Sequence, residues 1–242
     1  MPPKGRSTGS SSSARNRRKP PPPITIAKPK PWGLIAATLA VVLFAGAVLG
    51  YAIYRVNESS KNTPEAKAEA AKKISGIEVV EYAAAQHQQG TIKYDKSPPF
   101  GGPHNPTWAD CTGTVYPKQI ASENAVHSLE HGAVWITYQP GLAADQVDTL
   151  KKKVDGVEYM LMSPYAGLKT KVSIQSWGHQ LFVDSAGDPR IDEFVKDLRL
   201  NSVTTPEFGA SCVNPEFKAS PAPSGTPGTG PTDSASPTPA SG

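Results

Sequence analysis

The apolar positions divide the chain into two regimes. From Gly33 to Tyr54 no charged residue interrupts a run of about 22 residues, and at roughly 1.5 Å of rise each a helix of that length reaches about 33 Å, enough to cross a bilayer. Trp32 precedes the run, and Tyr51 and Tyr54 close it, where amphipathic rings favour the membrane–water interface. After a polar connector, Thr63-Pro64-Glu65 supplies an N-cap, a first-turn proline and an acidic first turn for a short helix through Lys73. That helix is built of Ala, Lys and Glu with little apolar face, so residues 55–75 read as a stalk.

Beyond residue 76 the pattern changes to short runs. Gly76–Tyr82 and Thr91–Tyr94 predict strands, the first with a helix through Gln88 as an alternative. Lys96–Lys118 is a long proline-studded loop. Glu123 to Glu130 predicts a short polar helix that turns at Gly132 into the apolar, β-prone run Ala133–Tyr138. Ala143, Val147, Leu150 and Val154 share one face of a helix over 143–154, with Lys151 to Lys153 at its C-terminal end. Strands follow at 159–163, 171–176 and 180–184. Asp188-Pro189 then opens a last helix carrying Ile191, Phe194, Val195 and Leu198 on one face. The expected fold is α+β, with a small mixed or antiparallel sheet and two packed helices in a domain spanning 76–217.

Charge sets the expected topology. Eight Lys/Arg and no acid fall within residues 1–30, while the whole chain carries only +4, so everything after residue 30 is net acidic. A basic tail can bind nucleic acid, but one abutting a hydrophobic span is first a topology signal. The sequence therefore predicts a basic Pro/Ser-rich cytoplasmic tail at 1–31 and an uncleaved signal anchor at 32–54 in the cell membrane. The domain would lie outside, followed by a disordered Pro/Ser/Thr/Gly-rich tail at 218–242. No phosphate-binding glycine loop and no ordered basic–aromatic patch is present, so nucleic acid is not an expected partner. The expected partners are the lipid bilayer and a protein of a membrane complex or the cell envelope.

Two cysteines, Cys111 and Cys212, would lie in the oxidising compartment, where an isolated pair is more often a disulfide than two thiols. Closing a loop of that size contributes about 4–5 kcal/mol in the chain-entropy account. Left free, Cys111 could instead act as a nucleophile beside His104 or His127, or join a blue-copper set.

The histidines carry the remaining chemistry. His127 and His131 lie four residues apart, on one face of a helical turn. His104 sits in the proline-rich loop, and His87 precedes a turn. Met160 and Met162 alternate on one side of a strand, with thioethers suited to Cu(I). Imidazole plus soft sulfur puts copper first. Zinc comes second, through His104, His127, His131 and a carboxylate, Glu123 or Glu130. Glu130 could equally orient an imidazole from the outer shell. The alternatives are methionines that fill core gaps and histidines that only satisfy hydrogen bonds. His127-x-x-Glu130-His131 also has the spacing of a zinc hydrolase motif, but Gly132 ends the helix such a motif needs.

Gly102-Pro103-His104-Asn105-Pro106-Thr107-Trp108-Ala109-Asp110-Cys111, the Glu123–Tyr138 block, Ser163-Pro164-Tyr165 and Ser176-Trp177-Gly178 together resemble a bacterial, mainly actinobacterial family labelled domain of unknown function 3105. The resemblance covers roughly residues 76–212. It implies one membrane anchor and a domain boundary, and brings no catalytic residue or cofactor with it. Cys111-Thr-Gly-Thr-Val-Tyr116 is longer than the Cys-Gly-Val-Tyr spacing the resemblance leads one to expect. The reading is of a membrane-anchored, non-enzymatic domain binding copper or zinc, or of an accessory subunit whose histidines are internal hydrogen-bond groups.

Overall fold

The computed structural model describes residues 30–223. Nearly all of the tail expected at 1–31, and residues 224–242 of the one expected at 218–242, lie outside the described residues. The chain divides into two compact units, Met1–Ala52 and Ile53–Gly242. Helix α1 (Trp32–Lys61) contains the expected apolar run, has no buried residue, and is long and apolar enough to cross a membrane.

Among the described residues, the second unit holds one six-stranded mixed sheet. Its strands are β1 (Glu78–Val79), β2 (Thr112–Val115), β3 (Val134–Tyr138), β4 (Met160–Pro164), β5 (Val172–Ser176) and β6 (His179–Val183). They lie in the order β1-β6-β5-β3-β4-β2. β4 runs parallel to both β3 and β2; the pairs β3/β5, β5/β6 and β6/β1 are antiparallel. The α+β expectation holds.

Strand alternation gives the sheet two different faces. On one, Val134, Ile136, Met160, Met162, Val172, Ile174, Leu181 and Val183 form an apolar layer. Helices α4 (Ala144–Val154) and α5 (Arg190–Leu198) cover it with Leu150, Val154, Ile191, Phe194 and Leu198. These are the two helices the periodicity predicts. Helix α2 (Pro64–Ala71) joins the same layer, although its sequence reads as stalk. Thr63 caps it through Ala66 N–H, and Ala71 and Ile74 enter the core. Asn201 and Arg190 donate to the carbonyls of Pro64 and Ser75. An alanine face packs closely without making an amphipathic signal.

On the other face, Trp135 and Leu161 pack against helix α3 (Ser122–Glu130), the short α6 (Pro215–Ala219) and the loop over 96–111. The Cys111–Cys212 disulfide is part of this layer and spans a sequence separation of 101. No cysteine is left free, so neither the nucleophile nor the blue-copper reading has a thiol.

Three segments differ from their sequence reading. Gly76–Tyr82 is reduced to the two-residue β1. Thr91–Tyr94 forms no strand; Ile92 N–H donates to the Glu123 carboxylate instead of to a neighbouring strand. Strand β2 emerges inside the proline-rich loop because Gly113, at φ +77, makes a bulge that shifts the β2/β4 register. A Cβ there would stand 2.3 Å from Val157 N, so the unexpected Gly113-Thr114 pair is what lets this edge strand dock. Chain order also continues past 218, since Ala121 N–H donates to Ala222 O.

Candidate metal centre

Helix α3 is polar in sequence, yet Glu123 to Glu130 are all buried. Three of its side chains donate to the loop laid beside it. The carbonyls of Asn105, Thr107 and Ala109 accept from His127 Nδ1 (2.6 Å), Asn124 Nδ2 (2.6 Å) and Ser128 Oγ (2.6 Å) in turn. Backbone bonds from Asn105 N to Glu123 O and from Ala109 N to Asn124 O complete the seam. The loop bends at Pro106 and Thr107, where Thr107 N–H donates to Asn105 Oδ1, and still presents three carbonyls to one helix. The helix ends at Gly132, whose φ of +104 is one that L side chains rarely adopt and whose Cβ would stand a tight 3.1 Å from Thr205 Cγ2.

The seam brings four groups together. His87, His104, His127 and Glu130 each offer one ligand atom, all within 4.8 Å of one another. His87 is held beside His104 by a parallel bridge, in which Gln88 N–H donates to His104 O and His104 N–H to Gln86 O. The His87 ring stacks on His127 at 4.8 Å, and His104 lies 4.8 Å from His127. A second group, His127, His131 and Glu207, meets the same distance limit and shares His127 with the first.

A common device aims the rings. His104 Nδ1–H donates to Gly102 O at 2.8 Å, His127 to Asn105 O, and His131 to Ser211 O at 2.8 Å. A carbonyl can only accept, so the proton is on Nδ1 and Nε2 of a neutral ring carries a lone pair into the cluster. Outer-shell carbonyls fix metal-binding histidines in this way. His179 has the same bond, to Trp177 O, but belongs to neither group; it lines a groove with Glu69 of α2 and Lys72 just after it.

His104 Nε2 and Glu130 Oε2 lie 2.8 Å apart, both fully buried, without the alignment of a hydrogen bond. Among the described residues neither atom has a hydrogen-bond partner. Asn105 Nδ2, Thr107 Oγ1, Trp108 Nε1 and Asn124 Oδ1 are likewise buried without partners, so the unsatisfied polar atoms concentrate on the loop and α3. Leaving buried polar atoms unpaired costs about 1–3 kcal/mol each, a cost that a polar occupant could relieve.

The charge state suits a cation. Burial drives the His127 pKa down to about 3, reinforced by the neighbouring imidazoles and opposed by the Asn105 carbonyl. Burial likewise lowers His131, against the Ser211 carbonyl and Glu207. Burial pushes the Glu130 carboxyl up, but the His104 ring and the Ala85 N–H, which donates to Oε1 at 2.6 Å, more than offset it. His127 and His131 are thus held toward the neutral form close to a carboxylate. With bonds of about 2.0–2.2 Å, tetrahedral ligand atoms stand about 3.3 Å apart. The observed 2.8 Å (His104 to Glu130) and 3.9 Å (His87 to Glu130) bracket that value.

Of the residues singled out from sequence, His104, His127, His131 and Glu130 come together. Glu123 does not; it binds the 91–94 segment. Met160 and Met162 lie on the α4/α5 face with Val134 and Ile136, across the sheet from the histidines. Alternation put both thioethers on one side of β4, and that side is the apolar core. Glu130 and His131 fall into different groups, unlike the shared site the zinc hydrolase spacing would require. Glu207 gave no sequence signal at all, being carried by an irregular segment 76 residues beyond His131 in the chain.

No curated protein and no solved structure matches this chain. A family described as "Protein of unknown function (DUF3105)" matches residues 86–214, a span that includes every residue of both histidine groups. That match covers more than half of the chain, and the protein belongs to the DUF3105 family.

Proposed function

We propose that this is a membrane-anchored, extracytoplasmic protein whose domain binds one divalent transition-metal ion through His87, His104, His127 and Glu130. The observation that carries the reading is the pair of buried atoms, His104 Nε2 and Glu130 Oε2, facing each other without hydrogen-bond partners beside two further imidazoles. Three imidazoles and one carboxylate suit Zn(II) and Cu(II). With Met160 and Met162 across the sheet, the argument for Cu(I) falls away. Copper still precedes zinc, as Cu(II), because N/O sites bind it more tightly in the first-row series. The disulfide favours an oxidising compartment, and the basic stretch before α1 favours a cytoplasmic N-terminus.

The test is competition titration of the full chain in detergent with Cu(II) and Zn(II), beside His104→Ala and His127→Ala. One tightly bound equivalent, weakened at least about tenfold in each variant, is expected. Equal binding by wild type and both variants would remove the metal reading.

A further inference from the structure

Three of the four ligands in the first group are fixed from behind. His104 Nδ1–H is spent on Gly102 O at 2.8 Å and His127 Nδ1–H on Asn105 O at 2.6 Å, so each ring offers Nε2 alone. Glu130 is held in the same manner. Ala85 adopts a φ of +53, uncommon for a residue with a Cβ, and its N–H donates to Oε1 at 2.6 Å, which leaves Oε2 for the cluster. All three side chains are buried: His104 and Glu130 are 0 % exposed and His127 is 4 % exposed.

His87 is placed differently. Its side chain is 39 % exposed, and the group opens to solvent there. Among the described residues no hydrogen bond fixes either ring nitrogen; the Glu130 carboxylate stands 3.9 Å away. What holds the ring is contact with two others, stacked on His127 at 4.8 Å and edge-on to His104 at 4.9 Å. The backbone beneath it is firmer. Gln88 N–H donates to His104 O and His104 N–H to Gln86 O, bonds that involve no side chain and persist when the ring moves or is removed.

We propose that His87 is an exchangeable ligand: His104, His127 and Glu130 hold the ion, and the fourth position, next to solvent, takes small nitrogen or oxygen donors in place of the His87 ring. This rests on the reading of the first group as a metal site. In the exchange the bond from the ion to a His87 ring nitrogen breaks, with the electron pair staying on nitrogen. A bond from the lone pair of the incoming donor forms, and the oxidation state of the ion does not change. Three fixed protein ligands with one exchangeable position make a site that accepts an outside ligand, whereas a structural site keeps all four positions closed. The anchored and unanchored ligands divide the group along that line.

The experiment loads the full chain in detergent with Cu(II) and follows its visible absorption and electron paramagnetic resonance as free imidazole or azide is added. His87→Ala should still bind one equivalent, with affinity lowered by less than about tenfold, whereas His104→Ala loses at least about tenfold. Free imidazole should return the His87→Ala spectrum and affinity to those of wild type. It should not do so in His104→Ala, whose missing ring is buried. Because His87 competes for the position, azide should bind about tenfold more tightly to His87→Ala than to wild type. In wild type, saturating azide should remove one nitrogen from the hyperfine pattern, and a spectrum unmoved by azide would overturn the proposal without recourse to any variant. So would a loss in His87→Ala as large as that in His104→Ala without rescue by imidazole, which makes His87 a fixed ligand. An unchanged spectrum in His87→Ala would overturn it too, since His87 would then hold no position on the ion. An absence of tight binding in wild type would instead sink the metal reading and the exchange together.

Discussion

The two faces of one sheet follow different rules. On the α4/α5 face, Met160, Met162, Val134 and Ile136 meet Leu150, Phe194 and Leu198, with contacts made by shape and apolar area alone. On the α3 face, buried Asn124, His127 and Ser128 depend on carbonyls from a loop about twenty residues earlier in the chain, and Glu130 accepts from Ala85 N–H. The first face gains stability from every residue it buries. The second buries polar groups that stay incompletely paired, an arrangement that is costly unless something binds there. A protein can therefore keep a reactive cluster in place by setting a conventional core directly behind it.

Substitutions can push the contrast in both directions. The largest effect should come from Cys111→Ser with Cys212→Ser. Opening a loop of that separation removes about 4–5 kcal/mol in the chain-entropy account, a drop in Tm of about 10 °C or more. Met162→Ala should cost about 2–5 kcal/mol in urea denaturation and leave metal affinity unchanged. A fall in affinity there would mean that the two faces are coupled.

Glu130→Gln should show the opposite profile. Metal affinity falls about 10–100-fold, while metal-free stability moves by less than about 1 kcal/mol or rises, since Gln keeps the acceptor for Ala85 and adds a donor toward His104. Calorimetry on both forms separates the two effects. The smallest effect is that of mild acid. Burial lowers His127 to about 3 and also lowers His131 and His179 below their ordinary 6.5, so the unfolded chain binds more protons than the folded one. Metal-free stability should be complete above about pH 6.5 and decline as pH falls from there toward 3. A urea midpoint that is flat between pH 7 and pH 5 would contradict the neutral, buried state of these rings.

The regular half of the molecule was legible in advance. Helices α4 and α5 and strands β3 to β6 were predicted from periodicity to within a residue or two, because each is a local repeat buried on one side. Strand β2 was not, because a glycine bulge broke its pattern, nor was the docking of α2, because alanine is small rather than conspicuously apolar. At the site, the i, i+4 spacing of His127 and His131 marked the right stretch. The two rings do share one group, with Glu207, but the spacing gave no hint that His127 also belongs to a second group with His87, His104 and Glu130.

The sequence by itself determined the apolar helix, the paired cysteines, the α+β alternation and the family, since all of these are written in local runs or in motifs. Only the tertiary structure decided which chemistry-bearing residues meet. It put the methionines behind the sheet, brought His87 and Glu207 in from distant segments, and left His104 and Glu130 face to face. The reason is physical: a strand's period sets which way a side chain points, but what it then meets depends on long-range packing of segments that carry no repeat of their own.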